Sequence, residues 1–276
     1  AGTNQDWMTE ARDLALRPRL LDGVVDLGAY EFQVAYVAPT GTHTPPFGTL
    51  ATAATNVQAA LDWIPAGGAV RVAEGRYVAA TTNSDIACAV VTNPISVTAL
   101  GANTVVDGQG VRRGLSLLTN AVVTGLTLSN GWAGVGGGVY LTGGGTLVSC
   151  RVTRCAAGTY GGGVFLQSTG VLTRCWISQN TAQTNDGGGV YLAGGGFLDA
   201  CWIASNTARV AGGIFFDTGG LARNCVIVGN QTPGQGVTKG RGGGVLFWQG
   251  GGRVEHGTIT GNYADDEGGG VSCDRG

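Results

Sequence analysis

The chain has 276 residues, of which 43% are hydrophobic and 12% are charged, and its formal net charge is −2. This composition supplies one sizeable apolar core in a single elongated domain, and the charge excludes a basic face for nucleic acid or anionic membranes. No apolar run approaches the roughly 20 residues that a membrane-spanning helix needs.

Residues 1–33 contain neither the glycine runs nor the repeat found later in the chain. The stretches Ala1–Asp6, Arg17–Leu20 and Val25–Phe32 resemble the closing segment of many bacterial surface β-helix proteins, including those with anchor domains. In those proteins the segment follows a β-helix, whereas here it comes first. The resemblance implies that residues 1–33 are a closing or linking segment, like the end of a preceding β-helix.

Residues 34–68 are predicted to form an N-terminal cap with a helix at about 56–64. Thr55 is placed to cap this helix, an apolar stripe runs from Val57 to Ile64, and Pro65 begins the stop signal. Such a helix covers the open apolar end of a stack of coils. The segment also resembles the opening of the pectate-lyase-like superfamily.

Residues 69–276 are predicted to form coils of about 25 residues. The first coils, up to Asn130, are irregular, and Asp107 is typical of an Asp-Gly turn. Asn130 falls one period before the position of Cys155, Asn180 and Asn206.

From Gly136 onward one pattern recurs: a glycine run, a strand such as VYL, a turn, a strand such as CWI, and N-x-A. The residue after each glycine run recurs every 24 to 31 positions, at Val139, Val164, Val190, Ile214, Val245 and Val271. Short alternating runs between glycine-rich turns indicate strands rather than helices, and a period in this range indicates a solenoid. We predict an all-β fold, a right-handed parallel β-helix with a short N-terminal capping helix.

Two polar or sulfur-bearing positions recur once per period and are predicted to form structural ladders. The cysteine ladder, expected to be reduced and buried, consists of Cys150, Cys175, Cys201 and Cys225. The asparagine ladder, expected to bond backbone groups left unpaired at a corner, consists of Asn180, Asn206, Asn230 and Asn262. Cys273 shares the inward position of Leu141 and is expected in the core.

The pairing of GGGV with N-x-A over residues 130–276 resembles the repeats of chlamydial polymorphic outer-membrane proteins and similar bacterial adhesins. The resemblance implies an extracellular or bacterial cell-surface protein.

Polysaccharide lyases of the pectate-lyase-like fold resemble one another in an acidic calcium site on neighbouring coils. Lyase activity is therefore an alternative to a purely structural role.

The carboxylates do not suggest such a site. Four acidic residues occupy different positions of the repeat and are not expected to converge: Asp186, Asp199, Asp217 and Glu255. The consecutive Asp265, Asp266 and Glu267 are typical of a solvated corner, with a calcium site as the alternative. Neither His43 nor His256 has a partner for nucleophilic chemistry. We therefore predict that the chain has no catalytic site, binds no cofactor and is not an enzyme.

An outward aromatic stripe is the strongest surface feature. Its residues are expected to form an exposed patch that marks an interface: Tyr140, Phe165, Tyr191 and Phe215 in one position, and Trp176 and Trp202 in a second. Either sugar rings or another protein would cover such a patch. The 31-residue period adds Lys239 and Arg241 as candidates for contact.

The sequence favours a structural or adhesive extracellular β-solenoid. The closing segment comes first and the last coil, Cys273–Gly276, has none. Either the chain is a window of a longer tandem protein, or residues 1–33 of one copy cap the next copy in head-to-tail assembly, which is the arrangement we expect. The alternative is a glycan-binding module or a polysaccharide lyase or hydrolase. Expected partners are other copies of the chain and surface glycans, not nucleic acid.

Overall fold

The computed structural model describes residues 34–79, 87–234 and 240–274, together with the backbone of Leu20–Leu21 and Val24–Val25. The rest of the predicted closing segment 1–33 lies outside the described residues, as does Lys239. The head-to-tail role of that segment therefore stays a prediction.

Short strands make up most of the described chain. The first half of the strands are β1 (Leu20–Leu21), β2 (Val24–Val25), β3 (Val34–Val37), β4 (Ala69–Val72), β5 (Gly75–Tyr77), β6 (Ala87–Val91), β7 (Ser96–Ala99), β8 (Thr104–Asp107), β9 (Arg113–Leu117), β10 (Val122–Thr124), β11 (Thr127–Ser129), β12 (Trp132–Val135), β13 (Val139–Leu141), β14 (Thr146–Val148), β15 (Arg151–Thr153) and β16 (Ala156–Tyr160). The second half are β17 (Val164–Leu166), β18 (Val171–Thr173), β19 (Trp176–Ser178), β20 (Thr181–Ala182), β21 (Val190–Leu192), β22 (Phe197–Asp199), β23 (Trp202–Ala204), β24 (Ile214–Phe216), β25 (Leu221–Arg223), β26 (Val226–Val228), β27 (Gln231–Thr232), β28 (Val245–Trp248), β29 (Arg253–Glu255), β30 (Thr258–Thr260), β31 (Tyr263–Ala264) and β32 (Val271–Asp274).

Three long sheets run along the molecule. The first sheet has the order β3-β4-β7-β10-β14-β18-β22-β25-β29, the second β5-β8-β11-β15-β19-β23-β26-β30, and the third β6-β9-β13-β17-β21-β24-β28-β32. All neighbours in these sheets pair in parallel, for example Val139 with Val164 and Val164 with Val190. Successive coils thus add one strand to each sheet in chain order, which confirms the predicted parallel β-helix.

The interior is a column of stacked aliphatic side chains. Because alternate residues of a strand point to opposite faces, the first and third residues of VYL point inward, and Val139, Leu141, Val164 and Leu166 are at most 1% exposed. Each coil covers the apolar surface of its neighbour, so no coil buries its own core alone.

The single helix of the described residues, α1 (Val57–Trp63), packs on the first coil and is shorter than predicted. Its N-cap is Asn56, not Thr55, since the Asn56 side chain accepts a hydrogen bond from the Ala59 amide at 2.9 Å. No helix in this part of the chain is long and apolar enough to cross a membrane.

The glycine runs form a tight corner before the strands of the third sheet from β13 onward. Gly187 has φ +71°, and the next residue, Gly188, would place a Cβ 2.4 Å from the Thr207 carbonyl oxygen of the next coil. The first position thus needs a left-handed backbone and the second a close backbone approach, both of which favour glycine. Ala211 occupies the first position in one coil, with φ 51°.

Both predicted ladders lie inside the coil. The Asn206 side chain donates to the Ile177 carbonyl at 3.0 Å and to the Asn230 side chain at 2.9 Å, and it accepts from the Asn180 amide at 2.9 Å. Asn180, Asn206 and Asn230 are completely buried. The asparagine side chains thus bond the corner backbone and link each coil to the next.

All seven cysteines are free thiols. In the cysteine ladder the side chains are at most 2% exposed, and each thiol donates to backbone carbonyls, as Cys201 does to Leu172 at 3.4 Å. Cys273 stacks in register with Phe247, as expected, but it is exposed because it lies in the outermost described coil.

The position before Asn180 in the asparagine ladder is held by Cys155, whose amide donates to Asn180 at 2.9 Å. Asn130 does not occupy the ladder position in the coil before Cys155, as the sequence predicted. Gly131 lies there instead, with its amide 3.3 Å from the Cys155 sulfur. The early coil is one residue shorter than the assumed period, because Thr127 pairs with Arg151. Asn130 instead donates to Asp107 at 3.0 Å.

Candidate functional site

The outer face of the third sheet carries the first aromatic ladder, which we call the floor: Tyr140, Phe165, Tyr191, Phe215 and Leu246, aligned by parallel pairing. The sequence predicts these residues to be exposed. Instead Tyr191, Phe215 and Leu246 are buried, at 8%, 4% and 1% exposure. Side chains on both sides of the floor, among them Tyr160, Val210 and Trp248, pack against these residues.

The rings of the floor stack on one another. Phe165 and Tyr191 lie 5.2 Å apart with an interplanar angle of 7°, and Tyr191 and Phe215 lie 4.8 Å apart at 6°. The outer face of the Tyr140 ring is covered by the Arg113 guanidinium, 4.7 Å from its centroid. Because these faces are already occupied, the floor presents ring edges, and a sugar ring has no free aromatic face on which to stack there.

One side of the floor is bordered by the first rim, the residues directly before the glycine corner: Tyr160, Asp186, Val210, Arg241 and Glu267. Bridges align Asp186 with Val210, Val210 with Arg241 and Arg241 with Glu267. The amide of Gly161, next to Tyr160, bonds the Asp186 carbonyl at 3.0 Å.

The other side is bordered by the second rim, the residues directly after the strands of the third sheet: Gln167, Ala193, Asp217, Trp248 and Asp274. The pairing of Leu192 with Phe216 and of Phe216 with Phe247 sets this alignment. Trp248 and Asp274 pair directly. Two rims and the floor together form a trough parallel to the solenoid axis.

Part of this trough is a cleft of about 640 Å³, lined by both rims, the floor and Arg209. Ligand sites commonly have volumes of about 300–1,000 Å³. Asp186 and Asp217 both line it. This corrects the expectation that these carboxylates do not converge: they occupy different positions of the repeat, but those positions border the same floor.

The carboxylates lie in an environment that opposes their charge. Burial raises the pKa of Asp186 to about 6; the Arg209 guanidinium counteracts this shift, and the Asp217 charge adds to it. Burial also raises the pKa of Tyr191, and the neighbouring Asp217 carboxylate raises it further. Asp186, Asp217 and Tyr191 therefore form one interacting group on the cleft wall.

Arg209 contributes a second unusual group. Its Nε–H is buried and has no hydrogen-bond acceptor among the described residues. A buried donor without an acceptor is costly. The Arg209 side chain also lines the cleft. The cleft thus presents carboxylate acceptors and a guanidinium donor side by side.

At one end of the cleft, Arg241 and Asp274 form an ion pair with an Nη1–Oδ2 distance of 2.7 Å. Arg241 is on the first rim and Asp274 on the second, so this pair bridges the cleft above Leu246. Glu267 adds a longer contact to Arg241, at 3.8 Å.

The tryptophan part of the predicted stripe lies on the second sheet and is a separate surface. Trp176 and Trp202 stack at 5.0 Å and are 39% and 37% exposed. Arg151 covers one face of this stack, with its Cζ 5.4 Å from the Trp176 ring.

The other candidate residues lie away from the cleft. Asp199 pairs with Arg223 at 3.2 Å and Glu255 with Arg253 at 2.9 Å, both on the first sheet. Asp107 accepts from the Gln109 amide at 2.7 Å, which is the predicted turn, and it also pairs with Arg76 at 2.9 Å.

The acidic run Asp265, Asp266 and Glu267 is divided between different contacts. Asp265 accepts a hydrogen bond from the Gly240 amide, while Glu267 faces Arg241. Within the described ranges, no group of three or more acidic, histidine or cysteine side chains is placed to hold a metal ion. The calcium alternative therefore has no support from the geometry.

Sequence reasoning missed several residues of the site: Tyr160, Arg209, Val210, Trp248 and Asp274. One signal was available: the residue before the glycine corner is bulky or charged in successive coils, at Tyr160, Asp186, Val210 and Arg241. Trp248 follows Phe247 in the sequence just as Asp217 follows Phe216, and these two phenylalanines pair. Aligning the repeats at the ends of their strands would therefore have placed Trp248 next to Asp217.

The comparisons with known proteins agree with this architecture. A family model described as a right-handed beta helix region matches residues 113–275, more than half of the chain. No curated protein and no solved structure matches. With the coiled parallel sheets and this match, the chain belongs to the right-handed β-helix family.

Proposed function

We propose that this protein is a glycan-binding β-solenoid whose ligand occupies the cleft between the two rims. The observation that carries the proposal is the convergence of Asp186, Asp217 and the Arg209 side chain around one cleft of about 640 Å³. The family contains both enzymes and proteins without catalytic activity, so its fold is compatible with binding alone.

The chemistry of the cleft favours a sugar as ligand. Sugar hydroxyls both donate and accept hydrogen bonds, so they match carboxylate acceptors and a guanidinium donor lying close together. The edges of Tyr191 and Phe215 offer a small apolar floor for the ring carbons.

The charges favour a neutral or amine-bearing glycan over a uronate polymer. Arg241 and Asp274 neutralise each other, which leaves Asp186 and Asp217 facing Arg209. The remaining carboxylates outnumber the remaining cation, and a polyanion would be repelled.

Affinity electrophoresis against soluble xylan, mixed-linkage β-glucan, chitosan and polygalacturonate tests the proposal. We expect retardation by at least one neutral or amine-bearing polymer and the weakest retardation by polygalacturonate. Asp217→Asn should weaken binding about tenfold, since a hydrogen bond to a charged group contributes about 1.5–3 kcal/mol.

Asp199→Asn is the matched control, because Asp199 lies on the first sheet and outside the cleft. It should bind as the unmodified protein does. Equal losses in the two variants, or no retardation by any of the four polymers, would contradict cleft binding.

Glycoside hydrolysis is a second candidate function, favoured by the presence of two carboxylates in one cleft. A carboxyl whose pKa is raised, such as Asp186, suits a general acid, and a second carboxylate suits a base or nucleophile. Release of new reducing ends from the bound polymer, lost in both Asp186→Asn and Asp217→Asn, would support it. Binding without such release would leave a glycan-binding protein.

A structural or adhesive role at an extracellular surface, with head-to-tail assembly, is compatible with glycan binding. The supporting observation is the parallel stacking of the coils, since edge-to-edge pairing of strands is also the way in which separate chains add to a sheet. Negative-stain electron microscopy over a range of concentrations would show filaments if copies stack and single short rods if they do not.

A further inference from the structure

The cleft is closed at the end marked by the Arg241–Asp274 ion pair. This pair joins the two rims, and Leu246 beneath it is only 1% exposed. Trp248, next to Asp274 on the second rim, adds bulk to the same end. A chain lying in the cleft cannot continue past this wall without breaking the ion pair.

The opposite end is narrowed by Tyr160. The Tyr160 ring extends from the first rim over the floor, with its centroid 4.9 Å from that of Tyr191 at an angle of 49°. Beyond it Tyr140 and Phe165 are half-buried, and the Tyr140 hydroxyl donates to the exposed Gln167 side chain of the second rim at 2.6 Å.

The floor between these two walls consists of Tyr191, Phe215 and Leu246. These residues come from three successive coils, so the floor extends over two coil spacings, about 10 Å, which is the length of roughly two sugar units. The cleft opens on its outer side, and a ligand enters from there.

We infer that the cleft receives the end of a glycan chain rather than a segment from its interior, and that Arg241 and Asp274 determine this selectivity by closing one end. The inference rests on the proposed glycan binding and adds a ligand class to it. Arg241 and Asp274 act here by excluding a continuing chain.

The test uses size fractions of the polymer in the xylan, β-glucan, chitosan and polygalacturonate panel that binds best, compared at equal mass concentration. If only ends bind, the number of sites per unit mass falls in inverse proportion to chain length. A tenfold increase in length should therefore reduce binding about tenfold at equal mass. Interior binding would leave it unchanged.

The double variant Arg241→Ala/Asp274→Ala removes both members of the ion pair, and Glu267, which loses its longer contact to Arg241, is exposed to solvent. We expect its binding to lose most of the dependence on chain length. Arg253→Ala/Glu255→Ala is the matched control, since this ion pair of 2.9 Å lies on the first sheet and outside the cleft. The control should keep the length dependence of the unmodified protein.

The outcomes separate the two proposals. No binding to any panel member would overturn glycan binding and this inference together. Binding by the unmodified protein that is independent of chain length at equal mass would overturn only the inference. The measurement on the unmodified protein needs no variant, so it tests the inference even if the double variant folds poorly. A folded double variant that keeps the full length dependence would overturn the role of Arg241 and Asp274.

Discussion

Two kinds of buried polar residue occur in the solenoid, and they have opposite effects on stability. Asn206 is fully buried, but its side chain is bonded to Ile177, Asn180 and Asn230, so its polarity is satisfied. Asp186 is largely buried beside another carboxylate, and its environment disfavours the ionised form. The first residue stabilises the coil, whereas the second costs stability, as is typical of binding sites.

Asp186→Asn should stabilise the protein at neutral pH. The folded-state pKa of about 6 lies above the ordinary value of 3.8, so the unfolded chain loses its proton first as the pH rises. The stability cost is absent below about pH 4, develops between pH 4 and 6, and is complete at pH 7, where it amounts to about 3 kcal/mol. Urea unfolding of both proteins at pH 4 and pH 7 measures it.

The variant should gain stability at pH 7 and show little difference from the unmodified protein at pH 4. A gain of the same size at both pH values would mean that Asn improves packing or hydrogen bonding, and it would contradict the proposed charge effect.

At the scale of an element, the corner and the ladder have different requirements. Stacked rings such as Tyr191 and Phe215 require only parallel register, and Leu246 continues the same ladder without a ring. The corner tolerates fewer residue types, because the backbone atoms of consecutive coils approach closely there and leave no room for a side chain. Whether a glycine is needed therefore depends on its position within the run.

Gly188→Ala should destabilise the protein by more than about 3 kcal/mol, because overpacking against side chains already costs about 1–3 kcal/mol and backbone atoms yield less readily. The new Cβ would lie 2.4 Å from the Thr207 carbonyl oxygen and 2.6 Å from that of Gly212, so two coils would have to separate. Thermal unfolding followed by circular dichroism measures the change.

Gly134→Ala is the control for this substitution. A Cβ added at Gly134 would meet no heavy atom within 4 Å, and Gly134 does not have a positive φ. Its replacement should change stability by less than about 0.5 kcal/mol. Equal effects at Gly134 and Gly188 would show that loss of glycine flexibility, and not contact between coils, is responsible.

At the scale of the whole molecule, stacking makes each coil the cover of its neighbour. Core residues therefore owe their burial to the coils on both sides. Cys201, within the stack, is 2% exposed, whereas Cys273, in the outermost described coil, is exposed. The reactivity of the thiols thus reports on the integrity of the stack.

Titration with a thiol reagent should label one cysteine per native chain, Cys273, and all seven after denaturation. Burial raises the pKa of Cys155 to about 12 and that of Cys88 to about 11, so these thiols also lack the reactive thiolate form at neutral pH. Peptide mapping identifies the labelled residue. Rapid labelling of Cys150 or Cys175 in the native protein would contradict the closed stack, and protection of Cys273 would indicate stacking between copies.

The repeat by itself determined the fold, because each coil contains the residues that its corner, its strands and its ladders require. Glycine at Gly187 and Gly188, alternation in VYL, and the recurring Asn206 position each follow from backbone geometry and burial that neighbouring residues impose. The cysteine and asparagine ladders could be predicted for the same reason. Asn130 was misplaced because an early coil is one residue shorter than the period.

Only the tertiary structure decided the site. Asp186 precedes its strand and Asp217 follows a different one, so no spacing in the sequence brings them together; they meet because both rims border one floor. Likewise, alternation predicts that Tyr191 points outward but not that Tyr160 and the charged rim residues cover the floor. Burial and pKa depend on the side chains of three coils at once, whereas a coil is specified by its own residues and its immediate neighbours.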